Sequence, residues 1–375
     1  MRTLLAVVCT TAVALLATAA AAPAAVLTTL NGIETEAQFV DPTSEADGID
    51  QEPVLGRMAQ MIRATPNDGW IAFGLFSFDS GDVLSAIKDA KARGVRMWAV
   101  QSGNQDNPVA QEMRQYVDTK LCHTFDNDAC IALKVGDGHP IQHMKYALFS
   151  RTKNTGGAYR DNVVWFGTAN LTSLSGARLF NDTLTIYNDP ALWQDFRELW
   201  VAQWNGSPRT SDLYGLSLGH FTGTSGIEVA ASPSATTDTV VANLKRITSG
   251  AGCEVRVLTA KLTRLDIVDR LVDMKGWGCA VAVVYGEGKC VAIDPLDEAG
   301  VLVKQSDKIH SKTILARGTA GTTVVLTGSQ NFDVPSLRAI DELHARVPAT
   351  PALYSGYLNY YARAWYAASW EHGCS

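Results

Sequence analysis

The stretch WIAFGLFSFDSGDVLSAIKDAKARGVRMWAV, residues 70–100, decides how this chain folds. It opens on an apolar run, Trp70 to Phe76. Apolar residues then fall at helical spacing: Val83, Leu84, Ile87 and Ala90. Gly94 closes that segment, as glycine does at helix C-termini, and Val95 to Val100 reads as a second strand. Strand, helix, strand is the unit of an α/β fold with a largely parallel sheet. Residues 253–284, CEVRVLTAKLTRLDIVDRLVDMKGWGCAVAVV, follow the same plan. There the strand Cys253 to Leu258 precedes Ile267, Val268, Leu271 and Met274 at helical spacing, then Gly278, then the strand Cys279 to Val284. An amphipathic helix precedes each unit, Val54 to Ile62 in the first and Val240 to Ile247 in the second. The predicted architecture is α/β, in two pseudo-symmetric lobes, each a mostly parallel sheet flanked by helices.

Between the repeats lies the turn-rich Asn205-Gly-Ser-Pro-Arg-Thr-Ser-Asp212. The expected organisation is an N-terminal lobe over 26–205, a linker over 206–225 and a C-terminal lobe over 226–375. The aromatic tail from Tyr354 to Trp370 reads as a helix that closes the core. The whole chain has 375 residues, 46% hydrophobic and 19% charged, which is globular composition and excludes wholesale disorder or a fibrous rod. Its formal charge of −6 argues against a broad nucleic-acid footprint, which needs a basic face, while leaving room for a local basic site.

The N-terminus has one arginine, Arg2, an apolar run from Leu4 to Ala22 and a small-residue tail. That is the layout of a secretory signal peptide over 1–25, cleaved near 20–25. The mature chain is then soluble and secreted. Of seven cysteines, Cys9 lies in this leader. The other six are Cys122, Cys130, Cys253, Cys279, Cys290 and Cys374, an even number that favours disulfides in an exported protein. Short loops suggest Cys122–Cys130 and Cys279–Cys290, leaving Cys253 for Cys374, although six cysteines leave other pairings open. No C-x-x-C spacing supports a zinc site.

The chemistry is carried by two patterns, one per half. His143-Met-Lys145 leads into the apolar Tyr146 to Phe149, and Val163 to Phe166 then runs into Gly167-Thr-Ala-Asn170. His310-Ser-Lys312 leads into Thr313 to Ala316, and Thr323 to Thr327 runs into Gly328-Ser-Gln-Asn331. An acidic group follows each, Asn181-Asp182 and Asp341-Glu342. Residues i and i+2 of a strand share a face, so each histidine points the same way as its lysine. Imidazole is a competent nucleophile toward phosphorus and a general acid near neutral pH. Lysine and asparagine suit the non-bridging oxygens of a phosphate. A carboxylate behind each imidazole, Asp182 and Glu342, would fix its tautomer. Two such sets facing each other supply one histidine to attack and one to protonate the leaving oxygen. That chemistry needs no metal and no cofactor.

These residues resemble the phospholipase D superfamily, whose signature is His-x-Lys-x4-Asp followed by Gly-Ser-x-Asn, duplicated in one chain. The resemblance spans roughly Val54 to Trp370. It implies an active site at the interface of two lobes and cleavage of phosphodiesters through a phosphohistidine. It also implies His143 as nucleophile and His310 as general acid. Lys145, Lys312, Asn170 and Asn331 would hold the phosphate, and Asp182 and Glu342 would orient the imidazoles. The motif aspartate is replaced by Ser150 in one half and Arg317 in the other, and Thr168 stands where serine is usual. The function expected is a secreted phospholipase D-like phosphodiesterase acting on phospholipid head groups, as a monomer with transient contact to a membrane surface. A secreted nuclease and a catalytically weak binding protein are the alternatives. Among the remaining residues, Phe76, Phe78 and Asp79 end the first strand, where α/β folds place ligand contacts, though core packing of the two rings is the simpler reading. Trp165 and Trp277 read as core, His139 as the end of a loop, and His344 as a neighbour of Glu342 on the same strand face.

Overall fold

The computed structural model describes residues 25–43, 52–122, 129–133 and 140–370. Residues 1–24 of the expected signal peptide, His139 and Cys374 lie outside these residues, whereas Ala25 begins the first strand. The first lobe runs β1 (Ala25–Leu30), β2 (Ile33–Val40), α1 (Pro53–Ala64), β3 (Trp70–Leu75), α2 (Gly81–Ala92), β4 (Arg96–Ser102), α3 (Pro108–Met113), β5 (Asp118–Cys122), β6 (Tyr146–Lys153), β7 (Tyr159–Gly167), β8 (Asn181–Ile186) and α4 (Pro190–Asn205). The second runs β9 (His220–Thr222), β10 (Glu228–Ser232), α5 (Thr239–Lys245), β11 (Glu254–Leu262), α6 (Leu265–Gly276), β12 (Ala280–Gly288), α7 (Cys290–Glu298), β13 (Leu302–Gln305), β14 (Lys312–Arg317), β15 (Thr323–Gly328), α8 (Val334–Arg338), β16 (Glu342–Pro348) and α9 (Pro351–Ala367). The stretch 206–225, read as a linker, carries the edge strand β9.

The strand order is β1-β2-β8-β7-β6-β3-β4-β5 in one sheet and β9-β10-β16-β15-β14-β11-β12-β13 in the other, so the two match strand for strand. The α/β architecture in two lobes is as expected, but the sheets are mixed rather than mostly parallel. Only β3–β4–β5 and β11–β12–β13 pair in parallel. The motif strands β6 and β7 are joined by a hairpin and are therefore antiparallel, as are β14 and β15. Parallel pairing is confined to strands joined through a crossover helix.

Helix ends follow local chemistry. Ser80, Asp189 and Thr350 cap α2, α4 and α9 by accepting from Val83 N, Leu192 N and Leu353 N. Both α4 and α9 open on Pro-Ala-Leu. Three apolar clusters form the core. Val54, Ile62, Val83 and Ile87 pack on the outer face of the first sheet, and Val240, Ile267, Leu271 and Ile293 on the outer face of the second. A central cluster fills the space between the sheets around α4 and α9, taking Leu148 and Phe166 from the first sheet and Leu315 and Val325 from the second. The layers are helix, sheet, helix, sheet, helix, and the motif strands lie at the centre. Trp165 is buried as expected, whereas Trp277 is exposed, with the Arg270 guanidinium 4.5 Å from its ring.

Cys122 pairs with Cys130. Cys279 pairs with Cys253, not with Cys290. The reason is register: Glu254 faces Ala280 across the parallel β11–β12 pair, so the residues just before them lie side by side. Cys290 is disulfide-bonded as well.

Candidate active site

His143 and Lys145 lie just ahead of β6, and His310 lies just ahead of β14, which starts on Lys312. Each histidine segment is bridged to the other lobe. His143 N donates to Asp341 O (2.9 Å) and His310 N to Phe180 O (3.1 Å). The side chains cross over too. His143 Nδ1 is 2.7 Å from Glu342 Oε1, an ion-pair distance rather than an aligned hydrogen bond. His310 Nδ1 is 2.8 Å from Asn181 Oδ1. Asn181 is itself fixed, because its Nδ2 donates to Ser175 O (2.7 Å) and its Oδ1 accepts from Thr168 Oγ1 (2.9 Å). The amide therefore presents oxygen to the imidazole.

Asp182, expected behind an imidazole, is elsewhere. Its carboxylate is fully buried and accepts from Thr313 Oγ1 (2.6 Å), Thr327 Oγ1 (2.6 Å) and Tyr357 OH (2.9 Å), all from the second lobe. Register explains the exchange. Gly167 faces Thr183 across β7–β8, and Gly328 faces His344 across β15–β16. Counting back from those partners, Asn181 corresponds to Glu342 and Asp182 to Leu343. The signal was present in the spacing, since Asn181 follows Asn170 by the same interval as Glu342 follows Asn331.

The lysines complete the cleft. Lys145 Nζ donates to His143 O at 2.5 Å. Lys312 Nζ lies 3.3 Å and 3.4 Å from the two ring nitrogens of His310 and donates to its carbonyl. Both lysines are buried. Asn170 and Asn331 follow β7 and β15, and each keeps Oδ1 buried without a protein partner. The glycine of each motif has a steric role: a Cβ on Gly167 would lie 2.3 Å from Asp182 O, and one on Gly328 2.3 Å from Leu343 O. Sequence reasoning undervalued Phe76, whose ring meets the His143 imidazole edge-on at 4.3 Å and lies 4.9 Å from Lys145 Nζ. Phe78 is core, and Asp79 accepts from Ser173 N (2.7 Å). Ser150 lies midway along β6, where its Oγ accepts from Trp70 N (2.9 Å), and Arg317 ends β14, where it pairs with Glu254.

Burial, reinforced by Lys145 and Lys312, holds both imidazoles well below the ordinary histidine range. Burial lowers Lys145 strongly and brings Lys312 down to about 7. It pushes Glu342 up to about 7 against the pull of Lys145. Among the described residues no cluster of metal-ligating side chains occurs.

Comparison with known proteins agrees with this geometry. The family model described as "Cardiolipin synthase, PLD-like domain" matches residues 58–204 and 227–365. The chain belongs to the phospholipase D-like family. Its fold is similar to that of phosphatidylserine synthase from Haemophilus influenzae (11% identity, TM-score 0.57, covering 89% of this chain and 88% of that one). It is also similar to polyphosphate kinase from Porphyromonas gingivalis (15% identity, TM-score 0.56, covering 87% of this chain). The phospholipase D-like chain spans about half of that kinase, 49% of its length. A variant of yeast tyrosyl-DNA phosphodiesterase matches at 9% identity and TM-score 0.50 over 83% of this chain and 89% of that one. At these identities the likeness is one of fold. A search of curated proteins found no match. Among the described residues no helix is long and apolar enough to cross a membrane.

Proposed function

We propose that the chain is a secreted, monomeric phosphodiesterase that cleaves phospholipid head-group phosphodiesters, by hydrolysis or transfer, through a phosphohistidine on His143. One observation carries the reading: each motif imidazole lies at the boundary between the lobes and is braced at Nδ1 by a residue of the opposite lobe. With Nδ1 occupied, Nε2 is the nitrogen left for phosphorus. His143 Nε2 attacks phosphorus, the P–O bond to the leaving alcohol breaks, and His310, in its imidazolium form with Nδ1–H held by Asn181, passes its Nε2 proton to that oxygen. In the second step water, or an acceptor alcohol, gives a proton to His310 and attacks phosphorus, breaking the P–N bond. Lys145, Lys312, Asn170 and Asn331 surround the non-bridging oxygens, where charge develops. Glu342 stabilises the cationic phosphoimidazole, as the third member of a triad does. Asn181 orients His310 without holding positive charge on it, which suits a group that must release a proton. Export is supported by the leader-like N-terminus and the disulfides, and a monomer by the presence of both motifs in one chain. The lobes are taken as 26–205 and 226–375, joined by 206–225.

The test is turnover of phosphatidylcholine, bis-nitrophenyl phosphate and plasmid DNA, with acid-labile phosphate mapped by mass spectrometry after rapid quenching. The phosphate is expected on His143. His143→Ala should lower kcat by at least about a thousandfold, because removing the nucleophile of a concerted set leaves little behind. Label on His310 alone, or an active His143→Ala enzyme, would overturn the assignment. Cleavage of DNA alone would move the protein to the nuclease reading.

A further inference from the structure

A cavity of about 260 Å³, with several polar side chains on its wall, backs onto the catalytic motif from behind β16. Tyr214, His220 and Arg246 line it, with Glu228, Asn243 and His344. His220 is exposed, and Arg246 nearly half exposed. His344 is 1% exposed and its Nε2 has no partner. Glu228 pairs with both Arg246 and Arg346 (3.4 Å), so its single charge meets two cations. These three side chains carry one net positive charge, Arg346 lying outside the cavity wall.

The duplication shows that this space is particular to the second lobe. Glu36 faces Thr185 across β2–β8, and Glu228 faces Arg346 at the matching place across β10–β16. In the first lobe Glu36 is sealed. Arg57 Nε bonds it at 2.9 Å and Tyr187 OH at 2.6 Å, with Glu36 0% and Arg57 5% exposed. In the second lobe the matching carboxylate opens onto a cavity. That cavity touches the catalytic segment twice. Thr239 Oγ1, on its wall, bonds Gln330 Oε1 at 3.3 Å, and His344 pairs with Gly328 across the sheet. Gln330 lies between Ser329 and Asn331, and Glu342, two residues before His344, holds His143.

We propose that this cavity binds a small phosphate-type anion, inorganic phosphate or a phosphomonoester, and that its occupancy shifts the Gly328–Asn331 segment of the active site. Arg246 supplies charge and the histidines supply donors suited to phosphate oxygens, and the buried His344 Nε2 gains the partner it lacks. The effect on substrate rests on the phosphodiesterase reading above, whereas binding does not.

Inorganic phosphate titrated into the intact protein by calorimetry should show two events, one in the catalytic cleft and one in the cavity. Arg246→Gln should weaken only the second, by about tenfold or more, the typical value of a charge-assisted hydrogen bond. His344→Gln should do the same, and circular dichroism checks that both variants are folded. His310→Ala should weaken only the first event. With bis-nitrophenyl phosphate as substrate, phosphate that saturates the cavity should change KM in the wild type beyond simple competition and leave only competition in Arg246→Gln. A single event that survives Arg246→Gln and disappears in His310→Ala would overturn the proposal. Two events with purely competitive kinetics would overturn the coupling. A protein without turnover that still shows the second event would refute the catalytic reading and leave the anion site standing.

Discussion

The two imidazoles are not equivalent, and the difference lies in one atom of the residue behind each: a carboxylate oxygen for His143, an amide oxygen for His310. A carboxylate favours the charged ring and an amide does not. Asn181→Asp should therefore raise the His310 pKa, and the alkaline limb of the kcat–pH profile should move up by about one unit. An unmoved limb would mean that Asn181 does not govern His310. A second prediction concerns His344, which burial, aided by Arg264, depresses from 6.5 to about 3. Between those values the unfolded chain binds a proton that the folded chain refuses. Stability is thus lost as pH falls through that window, by up to about 3 kcal/mol near pH 4. His344→Gln should flatten the fall in melting temperature between neutral pH and about pH 4, and an unchanged slope would contradict this. Ser150 and Arg317 show why losing the motif aspartate need not reach the chemistry: each sits five residues beyond the lysine of its motif, Ser150 bound to Trp70 and Arg317 to Glu254.

At the scale of elements, the motif glycines are set by the sheet. Gly328 has φ +151°, and a Cβ there would lie 2.3 Å from Leu343 O. Gly328→Ala must push β15 from β16. The expected cost is about 2 kcal/mol in chemical unfolding, with a raised KM because Asn331 follows directly. Wild-type stability in that variant would show that the strands have slack there. Much of this level is readable in advance. The helical spacing of Val83, Leu84, Ile87 and Ala90 marks α2, observed over Gly81–Ala92, and its echo marks α6. The β1–β2 hairpin turns on Asn31-Gly32, both at positive φ, the dipeptide that such a tight turn favours. Strand direction was not readable, because an alternating apolar run looks the same in a parallel and an antiparallel neighbour.

At the scale of the molecule, the lobes are sewn together through polar groups as well as the central core. Asp182 carries the first lobe's carboxylate into three hydroxyls of the second, whereas Leu343 at the matching place packs among apolar side chains. Asp182→Ala would leave Thr313, Thr327 and Tyr357 without that acceptor. A loss of about 3 kcal/mol is expected, read as a lower midpoint in calorimetry. An unchanged midpoint would show that the lobes are held by apolar packing alone.

The linear order of residues determined the α/β units, their duplication, both His-x-Lys pairs and their asparagines. These are local patterns: spacing along one strand or helix, and residue types whose chemistry travels with them. Only the tertiary structure decided which residue braces which imidazole, which cysteines pair, and that one lobe seals a polar site the other leaves open. Each of those depends on register between strands far apart in sequence, where a slip of one residue exchanges Asp182 for Asn181 and turns a carboxylate away from the cleft.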